Sequence, residues 1–335
     1  MSATTTRVKS GSSAAPLVMS SPSETTMETK TNAGFNGARG SSYNTYISID
    51  YIQRMCLLIG TSRTLLAPLD RVKFIMQTQK ELIRHGTLAR EFHSAWDCAR
   101  YLSVIEGNRS FWRGNLIQVV SICPIIISQL IITIPVERYI FESFPLHSAL
   151  CCTAASYAAL LGGSFATCLI SYPLDFARFR LAVDVKFDKD AAYAFKHSLA
   201  FFSHPVLSEF TPYLYRGLTL FVLANFLYRC VYNVLIGVMM TCVPPEDGRW
   251  WPIFAQTTAG IGVAGVATVC LHPIDLVRHR LMIAVTSERL RYASAMSCVR
   301  RIAKKEGLRG FYRGSVVTLV KMLAATGLTI VGLPF

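Results

Sequence analysis

The stretch from Leu65 to Gln79, LLAPLDRVKFIMQTQ, decides how this chain is read. Inside it Pro68, Asp70 and Lys73 form the pattern Pro-x-Asp-x-x-basic, and the pattern returns twice. Pro173, Asp175 and Arg178 carry it in YPLDFARFR, and Pro273, Asp275 and Arg278 carry it in HPIDLVRHR. The prolines at 68, 173 and 273 stand 105 and 100 residues apart. One copy is a common accident, but three in register at a near-constant period are an internal repeat.

Each copy sits late in a long apolar segment. Six such segments run at about 46–77, 113–137, 148–182, 215–241, 252–283 and 312–333. A helix crossing a bilayer needs ~20 apolar residues, so each is long enough to span. A proline within a helix removes a hydrogen bond and bends it, which predicts three odd-numbered helices kinked at equivalent depths. The whole composition agrees: 335 residues, 52% hydrophobic and 16% charged, with a mean hydropathy of +0.37. These values exclude an ordinary soluble protein. The net charge of +14 lies in loops beside apolar spans, which points to anionic headgroups and an anionic substrate rather than to nucleic acid. The ten cysteines include no CxxC pair and the seven histidines no HxxxH, so neither a disulfide framework nor a metal site is suggested. No cofactor is implied.

Residues 1–44 are rich in Ser, Thr, Gly and Ala without periodicity and read as a disordered tail. Glu24 and Glu28, with no amphipathic Arg face, argue against a presequence. The remainder divides into repeats at 45–140, 141–244 and 245–335. Loops after the motifs are long and basic, holding Lys80, Arg84, Arg90, Arg100, Lys186, Lys189, Lys196, Arg300, Arg301, Lys304 and Lys305. The loops at 138–147 and 242–251 are short and hold Glu142, Glu246 and Asp247. This bias puts the motif side inward and both termini on the other side. SAWDCARYLSVIEG and SAMSCVRRIAKKEG within the long loops read as short surface helices.

Every repeat then reaches an aromatic-basic-Gly triplet: Trp112-Arg113-Gly114, Tyr215-Arg216-Gly217 and Tyr312-Arg313-Gly314. Glu106-Gly107 and Glu306-Gly307 precede two of them, while the middle repeat has Glu209-Phe210. Glycine at a loop-to-helix junction frees backbone amides for an anion, so Gly114, Gly217 and Gly314 are candidate phospholipid contacts. The plainer reading is a helix cap beside an interfacial aromatic.

The three motif copies, the two Glu-Gly stretches and the six-span layout resemble the mitochondrial carrier family over residues 46–333. Within it SYPLDFARFRLAVDV, SFWRGNL and APLDRVK resemble stretches of ADP/ATP carriers. The resemblance implies an all-α membrane protein of six transmembrane helices in three tandem two-helix repeats about a pseudo-threefold axis, with short matrix-side surface helices. It also implies an antiporter of the mitochondrial inner membrane, multi-pass and monomeric, associated with cardiolipin.

In such a bundle the inward ends of the odd helices meet. Carboxylate and cation, three residues apart, share one helix face, so each Asp reaches the cation of the next helix: Asp70 with Arg178, Asp175 with Arg278, Asp275 with Lys73. The alternative is three independent helix-end pairs, disfavoured because intramembrane charges are rare and costly. Gln77, nine residues after Pro68, is expected to brace a pair from below. Partly buried pairs at ~1–3 kcal/mol each are comparable to the ~4–8 kcal/mol of a substrate held at millimolar to micromolar Kd, so binding can offset opening. The opposing outer pairs that the family places some twenty residues after each Gly are missing from Ile132–Glu137, Ile236–Met240 and Gly332–Phe335. This predicts a weakly locked outer gate closed by apolar packing, and hence a bias toward the inward-open state or some leak.

Repeat symmetry also locates mid-depth positions. Seven residues after each Gly stand Ser121, Ala224 and Lys321; five before each Pro stand Arg63, Cys168 and Thr268. Arg63, Lys321 and Arg229 are cations inside apolar spans and therefore functional candidates, with snorkelling to an interface the alternative. With Arg278, Asn225 and Tyr228 they suit a polyanion carrying a stackable ring. By resemblance Arg63 and Lys321 match phosphate contacts of ADP/ATP carriers, and Tyr228 beside Ala224 matches their adenine pocket. Those carriers have Arg where Ser121 stands, and their run of three Arg and three Met appears here as Arg278-His279-Arg280-Leu281-Met282-Ile283. Nucleotide exchange thus stands beside two other readings: a carrier of another phosphorylated or carboxylate anion, and a non-transporting or proton-leak relic. An enzyme is not indicated, since no span pairs a nucleophile with a base.

Overall fold

The computed structural model describes residues 49–143, 149–188, 190–195, 202, 214–242, 250–284 and 292–332. The chain divides into two compact units, Met1–Ile52 and Gln53–Phe335, and the second holds all three motif copies. Its regular structure is helical. Helix α1 covers Ile49–Arg84 and α2 Ala95–Ile105. The second apolar segment is broken into α3 (Asn115–Val120), α4 (Ile122–Ser128), a π turn at Gln129–Thr133 and α5 (Ile134–Ser143). Then come α6 (Ala149–Ala182), α7 (Leu218–Cys242), α8 (Trp250–Ile283), α9 (Ala295–Glu306) and α10 (Ser315–Gly332).

The three motif helices α1, α6 and α8 run on through Pro68, Pro173 and Pro273. The missing N–H leaves one carbonyl unpaired without ending the helix. The second segment is less continuous than its hydropathy predicts. Pro124 offers no N–H to the carbonyl of Val120, and Pro135 none to Ile131; the helix is interrupted for one residue at Ser121, which keeps helical backbone angles, and widens into a π turn just before Pro135. Of the segments, 108–140, 218–239 and 257–283 are long and apolar enough to cross a membrane by composition alone; α1 carries Asp70, Arg71 and Lys73 within its length.

The surface helices begin where the sequence indicates. Ser94 accepts from the amide of Asp97, and Ser294 exchanges hydrogen bonds with Ser297 in a capping box. Their inner faces bury Cys98, Leu102, Cys298 and Ile302. Burial pushes the thiols of Cys98 and Cys298 up to about 12, so both stay protonated and act as small apolar side chains. The counterpart in the middle repeat falls at 196–213, outside the described residues apart from Phe202.

Burial concentrates at the motif end. Phe74, Ile75, Phe176, Phe179 and Met282 pack with Cys98 and Leu102 in one cluster, and Leu276, Leu281 and Tyr292 with Cys298 and Ile302 in another. Elsewhere the spans expose large apolar side chains, among them Leu57, Ile131, Val234 and Val266. That is the surface a bilayer covers. The glycine of each triplet is where a helix meets its neighbour. Gly114, Gly217 and Gly314 all have φ between +80° and +94°. A Cβ on Gly114 would lie 2.9 Å from the Arg178 carbonyl, and one on Gly217 2.8 Å from the Tyr172 hydroxyl. One on Gly314 would press on Gln77 and Lys73. Each repeat therefore seats its second helix against the motif cation of the next.

Candidate gate and substrate site

The three motif ends converge on a closed cycle of ion pairs. Arg178 meets Asp70 at 2.5 Å, Arg278 meets Asp175 at 2.8 Å and Lys73 meets Asp275 at 2.9 Å. Within helices the contacts are longer, 3.8 Å for Arg178 to Asp175 and 3.3 Å for Arg278 to Asp275. Inter-helix pairing therefore dominates: Arg178 and Arg278 each bridge two carboxylates, and Lys73 pairs with Asp275.

Gln77 does not brace the Lys73–Asp275 pair. Its side chain turns to His272, the amide nitrogen lying 3.5 Å from Nε2. That Nε2 is 3.0 Å from the Arg313 carbonyl and so carries its proton; Gln77, whose Oε1 is buried without a partner, meets it best through its oxygen. The residue before the proline explains this. His272 and Tyr172 each tie their helix to the carbonyl of their own triplet arginine, Tyr172 donating to Arg216 at 2.7 Å. The first repeat has Ala67 there.

Lys321, the mid-depth cation of the third repeat, is paired. Its Nζ lies 2.5 Å from Asp70 Oδ1. Asp70 thus carries two cations, one on each oxygen, and the amide of Gln118 donates to it at 3.3 Å. Arg63 donates to the Gln118 carbonyl at 2.9 Å and to Ser121 Oγ at 3.2 Å. Arg229 is exposed on α7, and among the described residues it has no ion-pair partner. Tyr228 stacks on Tyr232 at 6.2 Å. Asn225 donates to the Phe221 carbonyl and lies 4.0 Å from the sulfur of Cys168. Ring and mid-depth groups are therefore joined through Asp70, Gln118 and Ser121. The outer end is not described at its decisive positions, since the side chains of Glu137 and Met240 and residues 333–335 lie outside the described set. The expectation drawn from the missing outer pairs falls on those positions and so lies outside the described residues.

The family model described as "Mitochondrial carrier protein" matches residues 58–142 and 249–333. The ADP,ATP carrier protein of Schizosaccharomyces pombe is 28% identical over 279 residues, 80% of this chain and 83% of its own. The ADP,ATP carrier protein of Parachlorella kessleri is 32% identical over 268 residues, 76% of this chain and 74% of its own. ADP,ATP carrier protein 3 of Saccharomyces cerevisiae is 28% identical over 270 residues, 79% of this chain and 86% of its own. The chain belongs to the mitochondrial carrier family. It is a multi-pass mitochondrial membrane protein of a family of transporters, not enzymes.

Two layers of this carrier lie beyond the ring and were not singled out from sequence. One residue after each motif cation stand Phe74, Phe179 and His279. Their rings meet at 5.4, 4.8 and 4.9 Å between centroids, an aromatic plug at the same register in all three repeats. Arg178 lies over the Phe74 ring at 5.3 Å. The register was readable; the aromatic character of His279 hid among basic residues.

The second layer is a pair of buried latches. Arg71 meets Glu106 at 2.7 Å and donates further to the carbonyls of Ser110, Ala182 and Asp184. Glu106 in turn accepts from the Lys186 amide and the Tyr193 hydroxyl. Arg280 holds Glu306 through two nitrogens and lies 3.8 Å from Glu81. Burial alone would raise the Glu306 carboxyl; the Arg280 hydrogen bond and charge outweigh it and hold it below the usual carboxylate range. The triplet arginines tie the repeats in a circle: Arg113 to Asp184, Arg216 to the Tyr292 carbonyl, Arg313 to Glu91.

Proposed function

We propose that this carrier exchanges adenine nucleotides across the mitochondrial inner membrane by alternating access. Asp70 is the observation that supports the reading most. Its carboxylate holds a ring cation, Arg178, and a mid-span cation, Lys321, at once. A polyanion arriving at Lys321 competes with Asp70 for the same ammonium, so binding removes one of the two cations anchoring that corner of the ring. Ligand affinity can move a two-state equilibrium only through such differential contact. In this reading Arg63, Arg229, Arg278 and Lys321 take the phosphates, and Asn225 and Tyr228 the base. Asp70, Lys73, Asp175, Arg178, Asp275 and Arg278 are the matrix gate, with Gln77 supporting it through His272. The names of the relatives support the same substrate class. One chain contains the whole ring, so a monomer suffices.

An anionic phospholipid such as cardiolipin fits the repeat junctions. Gly314 opens α10 with its first amides unpaired in the helix. A cavity of about 590 Å³ there is lined by Ser94, Ala95, Arg309, Gly314 and Ser315. Gly114 and Gly217 take the corresponding places at the other junctions.

Thermal unfolding of the purified protein against ADP, ATP, AMP, GTP, phosphate and carboxylates tests the function, because a ligand of the folded state stabilises it by mass action. Stabilisation by ADP and ATP, lost in Lys321→Ala with lipid binding intact, is the expected result. Stabilisation by a carboxylate alone would replace the substrate. A silent panel would favour a non-transporting role.

A further inference from the structure

Arg71, Arg280 and Arg180 all leave the motif ends toward the inward side, but they do not end alike. The first two close on buried glutamates, whereas Arg180 has one long hydrogen bond among the described residues, 3.4 Å to the Ile283 carbonyl, and feels the charge of Asp184 nearby without an ion pair to it. It occupies in the second repeat the register of Arg280 in the third, seven residues after the proline. A guanidinium carries five donors that burial leaves costly if unmet.

A cavity of about 120 Å³ opens beside it, lined by Leu82, His85, Arg180, Asp184, Phe195 and Ile283 among others. It is therefore bounded by the inward ends of all three motif helices, below ring and aromatic plug. His85 Nε2 is buried on its wall without a hydrogen-bond partner. Burial first, then the neighbouring Arg180, hold the imidazole below its ordinary pKa, against the opposing pull of Glu81. Both local carboxylates are already engaged. Asp184 binds Arg113 at 2.6 Å and accepts from the amides of Ala194 and Phe195. Glu81 binds Arg84 and accepts from Tyr292. The wall thus offers donors and a cation, and its negative charge is spent elsewhere. The volume equals a few waters at ~30 Å³ each, the size of one tetrahedral oxyanion.

We propose that Arg180 and His85 form a second anion site, on the inward face of the gate, that takes a phosphoryl group. The guanidinium supplies charge-assisted hydrogen bonds and His85 Nε2 an N–H. The group can be inorganic phosphate or the terminal phosphate of a nucleotide. The site is separate from Lys321 and stands whatever the mid-depth site carries.

Calorimetric titration of the purified full-length carrier with inorganic phosphate decides it. In the Lys321→Ala background, which removes the mid-depth phosphate contact, phosphate is still expected to bind, and Arg180→Gln added to it is expected to bind at least about tenfold more weakly, the loss of one hydrogen bond to a charged group. His85→Ala, at the helix end, is expected to bind severalfold more weakly and serves if Arg180→Gln does not fold. Displacement of phosphate by ADP in Lys321→Ala assigns the site to a nucleotide phosphate; no displacement assigns it to free phosphate. Three results would overturn the proposal: no phosphate binding by wild type, unchanged binding in the Arg180 or His85 variants, or loss in Lys321→Ala alone. A specific form of the first is binding that appears only in Glu209→Gln, since Glu209 stands eight residues before Gly217 as Glu106 and Glu306 stand before Gly114 and Gly314.

Discussion

The ring and the latches beneath it are built from the same ions and placed in different surroundings. Across the ring Lys73, Arg178, Asp175 and Asp275 keep 12%, 17%, 22% and 28% of their side-chain surface, while Asp70 and Arg278 keep 5% and 7%. Arg71 and Glu106 keep 1% and 0%, and Arg280 and Glu306 1% and 2%. An ion pair that water can reach costs little to break, because the separated charges are rehydrated at once. A buried pair that loses one member leaves the other charge stranded. The ring is thus suited to open and the latches to persist. The same contrast explains why the latch arginines also bind main-chain carbonyls whereas the ring cations bind carboxylates. A permanent joint uses every donor; a gate must be able to exchange its partners.

The largest effect belongs to Glu106→Gln. It leaves Arg71 with three carbonyls and no counter-charge, and a cost of about 3–5 kcal/mol is expected by analogy with other broken buried pairs. Glu306→Gln is expected to cost less, because Glu81 remains 3.8 Å from Arg280. Denaturant or thermal unfolding in detergent would show the order; the reverse would break the distinction drawn here. The Glu306 contribution has a pH signature. With its carboxyl lowered in the folded state, the stabilisation is present above the ordinary carboxylate range and is lost as pH falls through the lowered value. Glu306→Gln should flatten that part of the profile.

A smaller effect is expected at the ring. Asp175→Asn removes the carboxylate between Arg278 and Arg178 and should cost about 1–3 kcal/mol, while raising accessibility of the mid-depth residues to an inward-side thiol or amine reagent. Arg278→Gln in the same background should add less than it costs alone, since the Asp175 pair is already broken and the 3.3 Å contact to Asp275 is what remains to lose. A full additive loss would mean that the two residues act apart.

The ring was legible because three copies of one pattern constrain one another: given a threefold axis, Asp70, Asp175 and Asp275 have one partner each. The latches were not, because they break that symmetry. The glutamate partner is Arg71, three residues after Pro68, in the first repeat and Arg280, seven residues after Pro273, in the third. Burial decides which arginine serves, and burial belongs to the packed molecule. Gln77 fails for a related reason: His272 exists in one repeat only and draws the amide away from the pair. Hydropathy located the second span but not its break, which comes from two missing N–H groups at Pro124 and Pro135. Lys321 was picked out as a cation in an apolar span, but no spacing in the sequence relates it to Asp70, some 250 residues away.

That contact yields the smallest stability effect and the sharpest comparison with the ring. Lys321→Ala takes one of two cations from Asp70 and leaves Arg178 at 2.5 Å. Asp70 therefore stays paired, and a loss of about 1 kcal/mol or less is expected, below that of Asp175→Asn. Removal of Arg178 as well leaves Asp70 at 5% exposure without either cation, so the double variant should lose more than the two single losses together. Unfolding of the four forms gives the coupling directly. If Lys321 only snorkels, the losses add and Asp70 is a simple ring member. If they do not, one carboxylate reports occupancy of the mid-depth site to the gate, and the partly exposed layer is the part of the molecule that a ligand can unlock while the buried latches hold the helices in place.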